Sequence, residues 1–192
     1  MWTIDQIHDY LKQNIGESRY IHTLGVIKTA KELARLNNED ENKAELAALV
    51  HDIAKQKPIQ EQIEILKNNG IEIDIITENS PQILHGFVGA ILAKSVLGIE
   101  DEDIINAIRN HTVARKNMSI LEKIIYIADY IEPNRNYPGV EELRRITYDN
   151  LNEGVLQGIE NTINFVMSKR QLVHPYTIDA RNYLILEIKG LM

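Results

Sequence analysis

An adjacent histidine and aspartate, His51 and Asp52, close one helical segment, and Lys55 follows three residues after the aspartate. Neutral imidazoles and carboxylates are common ligands of first-row metal ions. A lysine near a helix C-terminus either interacts with the helix dipole or contacts a phosphate. The pair predicts metal chemistry only if other histidines and aspartates reach it. Alone, it is a helix end with two polar residues.

Further polar residues of the same kinds are spread along the chain. Four other histidines fall at or near helix ends or breaks: His22, His85, His111 and His174. Asp129 lies on a strongly apolar helix, and a carboxylate in a core helix is costly unless it is paired or bound to metal. Asp129 is predicted either to bind a metal or to pair with Arg135.

Ligands of these types suit a metal ion placed beside a phosphate. Such an ion lowers the pKa of a bound water from about 16 to about 7 and withdraws charge from phosphoryl oxygens. Lys55 and Arg135 are candidate cationic phosphate contacts. His85 and His111 are candidates for phosphate contact, proton transfer or a second ion.

The composition excludes several kinds of site and partner. The chain has 192 residues, of which 44% are hydrophobic, and its net charge is −7. It has no cysteine, which excludes disulfides, thiolate zinc sites and cysteine nucleophiles. The absence of a basic run argues against a nucleic-acid partner, and the absence of a long apolar run argues against a membrane. We expect one cytoplasmic domain spanning residues 1–192.

The spacing of apolar residues predicts an all-α fold, a single bundle of helices. Thr3, Asp40 and Ser119 are the predicted N-caps of three of them. A long second helix is expected to begin at Ser18, with His22 at the margin of its buried face. The residues of that predicted face are Ile21, Leu24, Ile27, Ala30, Leu33 and Ala34.

Two segments are predicted to lack regular structure. Residues 71–82 alternate isoleucine with acidic residues, but one short strand without a partner is unstable, so we expect an irregular connection. A break is expected around residues 174–177, with the final helix starting at Thr177 or Asp179. The last two helices carry more apolar positions than a surface helix requires, which favours a homodimer.

The order His22, His51-Asp52, Asp129 resembles the H…HD…D signature of the HD-domain metal-dependent phosphohydrolases. The likeness extends from about Arg19 to Thr177 and is closer to the YqeK-type bacterial HD-domain phosphohydrolases. The residues that carry this closer likeness are His85-Gly86, His111-Thr112, Ile127-Ala128-Asp129-Tyr130-Ile131-Glu132-Pro133, Arg135 and Pro138-Gly139-Val140.

The resemblance implies a helical HD domain that cleaves diadenosine tetraphosphate symmetrically into two ADP, by attack of metal-activated water on a central phosphate. Iron is the metal it implies, although other first-row divalent ions suit the same ligands. The implied ligands are His22, His51, Asp52 and Asp129. The residues implied to face the phosphates, with His22 and Asp129, are Lys55, His85, His111, Thr112 and Arg135. The residues implied to line the nucleoside end are Leu172, Val173, His174, Pro175, Tyr176 and Thr177.

Several roles stay open on the sequence alone. Asp52 or Asp129 is expected to orient or deprotonate the water, while His85 or His111 protonates the leaving phosphate and Lys55 contacts the phosphates. A second ion bridged by Asp52 is an alternative use of His85 and His111. The alternative functions are an HD hydrolase of another nucleotide, a non-catalytic metal or nucleotide sensor, and a structural protein.

Overall fold

Eleven α-helices and one 3₁₀ turn make up the fold of residues 1–191, the part that the computed structural model describes. The helices are α1 (Ile4–Asn14), α2 (Glu17–Leu36), α3 (Glu41–Val50), α4 (Ile59–Asn68), α5 (Ile75–Glu78), α6 (Leu84–Ser95), α7 (Glu102–Asn110), α8 (Ile120–Ile131), α9 (Val140–Asp149), α10 (Leu151–Ser168) and α11 (Pro175–Ile188). The 3₁₀ turn, Pro81–Ile83, precedes α6. The predicted all-α fold is confirmed.

The predicted caps start the helices as expected. The Thr3 and Ser119 side chains each accept a hydrogen bond from a backbone N–H of the first turn. The Gln6 and Glu122 side chains in turn accept one from the backbone N–H of Thr3 and Ser119. Asp40 accepts from the backbone N–H groups of the first turn of α3. These caps satisfy N–H groups that have no partner within the helix.

Helix α8 lies at the centre of the bundle. It packs against α2, α3, α7, α9 and α10, while α2 also packs along α3 and α6 packs against α7. Its residues Leu121, Ile124, Ile125, Ile127 and Ala128 are fully buried. In residues 1–191 no helix is both long and apolar enough to cross a lipid bilayer.

The face of α2 that packs inward differs from the predicted stripe. Ile21 and Leu24 are 48% and 44% exposed, whereas His22, Gly25 and Val26 are buried. The helix begins at Glu17 rather than Ser18, preceded by Gly16 at φ +71°. Because α3 and α8 both cover α2, the buried surface includes small and polar residues that an apolar count overlooks.

Two predicted irregular segments are also corrected. Within residues 71–82, Asp74 accepts from the backbone N–H groups of Ile76 and Thr77 and starts the short helix α5. The last helix begins at Pro175, earlier than predicted, because the His174 side chain accepts from the Tyr176 N–H and acts as its N-cap. A capping side chain can start a helix where apolar spacing gives no signal.

Candidate metal centre

The four predicted ligands meet where three helices converge. His22 lies in α2, His51 and Asp52 directly follow α3, and Asp129 lies in α8. Helix α2 packs against both α3 and α8, which brings the side chains together. The alanines on the inner face of α3, Ala44, Ala47 and Ala48, are fully buried. Their small size permits the close helix approach that ligands from separate helices require.

The ligand atoms lie close enough to share one ion. His22 Nε2 is 3.0 Å from Asp129 Oδ1 and 3.8 Å from Asp52 Oδ2. His51 Nε2 is 3.3 Å from the same Asp52 oxygen. One atom from each of His22, His51 and Asp129 falls within 4.8 Å of the others. Two imidazoles and two carboxylates therefore converge on one point.

Hydrogen bonds at the outer ring nitrogens orient both imidazoles. His51 Nδ1 lies 2.6 Å from the Ala48 carbonyl oxygen, and His22 Nδ1 lies 3.2 Å from Glu132 Oε1. In a neutral imidazole that ligates a metal, the hydrogen is on the outer nitrogen, where these two oxygens accept it. Each Nε2 is then left with a free lone pair directed at the convergence point, as metal ligation requires.

Unsatisfied buried atoms show that this donor set fits a metal. In the part of the chain that is described, His22 Nε2, His51 Nε2 and Asp52 Oδ1 are buried and make no hydrogen bond. Buried polar atoms in native proteins nearly always have a partner. A cation among these atoms would satisfy them together.

Both carboxylates are held in their ionised form. Burial alone would raise the pKa of Asp52, but His51, His111 and His85 around it hold that pKa well below its ordinary value. Burial likewise opposes ionisation of Asp129, but His22, His51 and Arg135 together more than offset it, so the pKa of Asp129 is lowered. The site therefore presents two negative charges to a cation at neutral pH.

His85 and His111 form the other side of the cluster. His85 Nε2 lies 3.1 Å from Asp52 Oδ1, 3.1 Å from His111 Nε2 and 3.2 Å from Lys55 Nζ. Burial lowers the pKa of His85 to about 4, so its ring is neutral at pH 7. Gly86 allows this approach, because a Cβ there would stand 2.8 Å from the Arg109 carbonyl oxygen of α7.

Two arginines hold the carboxylates from the solvent side. Arg19 donates to Asp52 Oδ2 at 2.8 Å, and Arg135 donates to Asp129 Oδ1 at 2.5 Å. Arg135 therefore forms the pair that the sequence left open as an alternative. Arg19 was missed, although it lies three residues before His22 on the same helix face, a spacing that could have identified it.

A second missed residue is Glu132, which is 2% exposed. Besides contacting His22, it accepts from the Asn134 backbone N–H at 2.7 Å and from Asn134 Nδ2 at 3.0 Å. Gly25 makes room for it, since a Cβ there would stand 2.2 Å from Glu132 Oε2. The sequence does point to Glu132, because it directly follows the core helix α8. A buried carboxylate there needs a partner or a cation, as Asp129 does.

A cavity of about 270 Å³ opens beside the cluster. The predicted site residues that line it are Lys55, His85, His111, Thr112, Asp129, Leu172, Val173, His174 and Thr177. Ser80, Gln82 and Ile83 close one side, and residues of α10 close another. The buried residues His22, His51 and Asp52 do not line the cavity, and neither does Arg135.

The predicted nucleoside end is only partly assembled at this cavity. His174 contacts Thr77 Oγ1 at 3.2 Å, and Thr177 donates to the Val113 carbonyl oxygen at 2.8 Å. Pro175 and Tyr176 are exposed and do not line the cavity. Because α11 starts at Pro175 rather than beyond it, these two side chains turn outward with the first turn of the helix.

Most of the chain is similar in sequence to known proteins of one family. The HD domain family matches residues 19–134. A Bacillus subtilis protein named symmetrical bis(5'-nucleosyl)-tetraphosphatase is 46% identical over 91% of this chain and 94% of its own length. The Staphylococcus aureus protein of the same name is 36% identical over 94% of this chain and 93% of its own length.

A solved structure from Clostridium acetobutylicum has the same fold. It is described as a predicted HD superfamily hydrolase involved in NAD metabolism, and it is 53% identical to this chain. The two superpose with a TM-score of 0.95, over 97% of this chain and 99% of the other. The relatives and the solved structure therefore match nearly the full length, including the helices that follow the HD match.

Proposed function

The chain belongs to the HD-domain family, and we propose that His22, His51, Asp52 and Asp129 are the metal ligands of its active site. The relatives named symmetrical bis(5'-nucleosyl)-tetraphosphatases align with nearly the whole chain. The chain is accordingly a hydrolase of dinucleoside tetraphosphates that splits diadenosine tetraphosphate into two ADP.

One observation carries the assignment of the site. Buried nitrogens of His22 and His51 and a buried oxygen of Asp52 have no hydrogen-bond partner among residues 1–191. They converge beside a cavity that contains a lysine. When bound, a first-row divalent ion supplies a Lewis acid for phosphoryl oxygens and lowers the pKa of bound water.

The side chains around the cavity provide the phosphate contacts. Burial lowers the pKa of Lys55, yet Asp52 and Asp129 oppose that effect and favour the charged form. Its ammonium lies at the cavity wall beside His85, where it can donate to a phosphate oxygen. The Thr112 hydroxyl lies at the same wall and donates to the Ile83 carbonyl oxygen over a long 3.4 Å, a bond that it would exchange for one to a phosphate.

The proposed ligand Asp52 and the groups next to the ligands transfer protons and stabilise negative charge during hydrolysis. Asp52 contacts His51, His85 and His111, so it is placed to orient a water and accept its proton. His111 is held by its Nδ1 hydrogen bond to the Ile108 carbonyl oxygen at 2.7 Å. His111 lines the cavity, so a ring that carries a hydrogen on Nε2 as well would donate it to the leaving phosphate, and His85 Nε2 lies 3.1 Å from that atom. Arg19 and Arg135 stabilise added negative charge.

The nucleoside of one product is proposed to bind at the outer part of the cavity. Leu172 and Val173, which precede α11, line the cavity together with the N-cap His174 and with Thr177 of its first turn. Apolar walls with a few polar groups are typical of small-molecule sites. Pro175 and Tyr176 lie outside that lining, so their predicted contact would require movement of the first turn of α11.

We propose iron as the metal, which the histidine and carboxylate ligands suit along with other first-row divalent ions. A second, weaker ion remains an alternative. His51, Asp52 and His111 offer a second set of atoms within 4.8 Å of one another. The 3.1 Å approach of two Nε2 atoms, in His85 and His111, also supports it, because two lone pairs repel unless a proton or cation lies between them.

The organisation of the whole protein is proposed as one domain over residues 1–192. Helices α9, α10 and α11 follow the HD match, and α10 packs on α8 and lines the cavity. Exposed apolar side chains on α11, Ile178, Leu186 and Ile188, support a homodimer. Cytoplasmic location stays a prediction from the sequence.

Metal analysis combined with a substrate panel tests the proposal. Purified protein and His51→Ala would be analysed for iron, then assayed against diadenosine tetraphosphate, deoxynucleoside triphosphates and a cyclic dinucleotide. We expect metal in the wild type, loss of metal in the variant, and turnover of the dinucleoside tetraphosphate. Turnover of another nucleotide alone would favour the alternative HD hydrolase, and metal binding without turnover would favour a sensor.

A further inference from the structure

A second, larger groove of about 770 Å³ lies on the far side of Tyr130 and Phe165 from the metal cluster. These two residues line both the groove and the smaller cavity, so the two spaces are neighbours. We propose that this groove binds the second nucleoside of the dinucleoside tetraphosphate. The inference rests on the proposed function, because it assigns the half of the substrate that the smaller cavity does not hold.

Symmetrical cleavage makes a second subsite necessary. Cutting the central anhydride leaves one nucleoside diphosphate on each side of the cluster. The cavity beside the cluster has about 270 Å³, below the roughly 300–1,000 Å³ of sites for drug-sized ligands. Two nucleosides joined by four phosphates exceed that space. The other half must therefore lie along a surface that is continuous with the cavity.

The groove begins one residue from a predicted ligand. Tyr130 directly follows Asp129, and the Tyr130 and Tyr137 rings are perpendicular with centroids 6.3 Å apart. Arg135, paired with Asp129, lies between these two tyrosines in the chain. Arg135 lines neither space, but its ion pair with Asp129, a residue of the cavity wall, places a guanidinium near the start of the path to the groove.

The walls of the groove have the chemistry that recognises a nucleobase. Tyr130, Tyr137 and Phe165 provide aromatic surface, and Phe165 is 60% exposed. Exposed aromatic rings of this kind stack on the flat face of a base. A phenylalanine ring left exposed on the wall of the groove is otherwise unfavourable in water.

Amide side chains complete the recognition surface. Gln157, Asn161 and Asn164 line the groove from the same face of α10. Gln157 Nε2 donates to Asn161 Oδ1 at 2.9 Å, which leaves the Asn161 amide N–H groups available. Asn164 makes no side-chain hydrogen bond among the described residues. Paired amide donors and acceptors match the N6 and N7 edge of adenine.

The test removes the asparagine amides by mutation and the second nucleoside by choice of substrate. The double variant Asn161→Ala with Asn164→Ala would be assayed on diadenosine tetraphosphate and on adenosine 5'-tetraphosphate, which lacks the second nucleoside and yields ADP and pyrophosphate. We expect kcat/KM for diadenosine tetraphosphate to fall about tenfold. Hydrolysis of adenosine 5'-tetraphosphate should change by less than about twofold. Asn68→Ala, an exposed asparagine of α4 outside both spaces, is the matched control and should change neither rate.

Other outcomes separate the subsite from the proposed function. Equal losses on both substrates, or no loss on either, would overturn the subsite while the enzyme assignment stands. A change in sedimentation of the double variant without a change in substrate preference would assign the groove to a second copy of the chain instead. Wild-type protein that splits neither tetraphosphate would overturn both proposals.

Discussion

His22 Nδ1 and Glu132 Oε1 lie 3.2 Å apart, although 110 residues separate them in the chain. Both side chains are buried. The hydrogen bond directs His22 Nε2 at Asp129 and Asp52, and a carboxylate on the outer nitrogen increases the basicity of the ligating one. Glu132 is in turn fixed by Asn134. We therefore assign Glu132 to positioning of the metal ligand.

Replacement of Glu132 by glutamine tests that role. Glutamine keeps the shape but loses the charge, so we expect metal affinity to fall about 10- to 100-fold. Competition with a chelator would measure the affinity, and thermal melting would verify the fold. Glu141→Gln, at an exposed position on α9, is the control. Unchanged metal affinity in a folded Glu132→Gln protein would show that the carboxylate does not orient His22.

Gly25→Ala should destabilise the protein even though alanine favours helices. The intrinsic gain is about 0.5–1 kcal/mol, whereas the added Cβ would stand 2.2 Å from Glu132 Oε2 and overpacking costs about 1–3 kcal/mol. Denaturant unfolding of Gly25→Ala, Glu132→Ala and the double variant would measure the coupling. We expect the alanine at 25 to cost less once Glu132 is truncated; strictly additive effects would rule out this contact.

Lys55→Gln should impair turnover and leave the metal in place. Lys55 faces the cavity beside His85 and makes no contact with the ligand atoms of His22 or Asp129. Loss of one charged donor to a transition-state phosphate lowers kcat about 100-fold or more. Lys57→Gln is the matched control, because Lys57 pairs with Glu61 away from the site. Loss of metal from Lys55→Gln would instead give Lys55 a structural role.

Ser119→Ala should lower stability by about 1 kcal/mol, because it removes the cap of the central helix α8. For a chain of this size that corresponds to a melting temperature lower by about 2–4 °C. Ser18→Ala, exposed in the first turn of α2, should leave the melting temperature unchanged. Equal effects of the two substitutions would mean that the Ser119 cap contributes nothing specific.

The sequence predicted helices well where local chemistry determines them. Thr3, Asp40 and Ser119 start helices because their side chains bond to N–H groups a few residues away. Residues 71–82 were misread because Asp74 caps a single helical turn that is too short to show a period. Ile21 and Leu24 were assigned to the core because apolar spacing gives a helix face but not the neighbours that cover it.

The sequence predicted which four side chains converge, but not the residues that support them. His22, His51, Asp52 and Asp129 follow a recognisable order, and a buried carboxylate requires a partner. Glu132 and Arg19 act through contacts across 110 and 33 residues. Their positions, after a core helix and three residues before His22, mark them as candidates, but no local pattern reveals the partners that they contact. The Pro175 and Tyr176 side chains point outward because the His174 cap starts α11 at Pro175. The sequence alone therefore could not predict which residues line the nucleoside end of the cavity.

Hydrolysis of diadenosine tetraphosphate by the metal-loaded protein in ¹⁸O-labelled water tests the central claim most directly. Attack at one of the two central phosphorus atoms should give only ADP, with one labelled and one unlabelled ADP per turnover, and Asp129→Ala should abolish the reaction. Formation of ATP and AMP, or undiminished activity in Asp129→Ala, would contradict the assignment of this cluster to symmetrical cleavage.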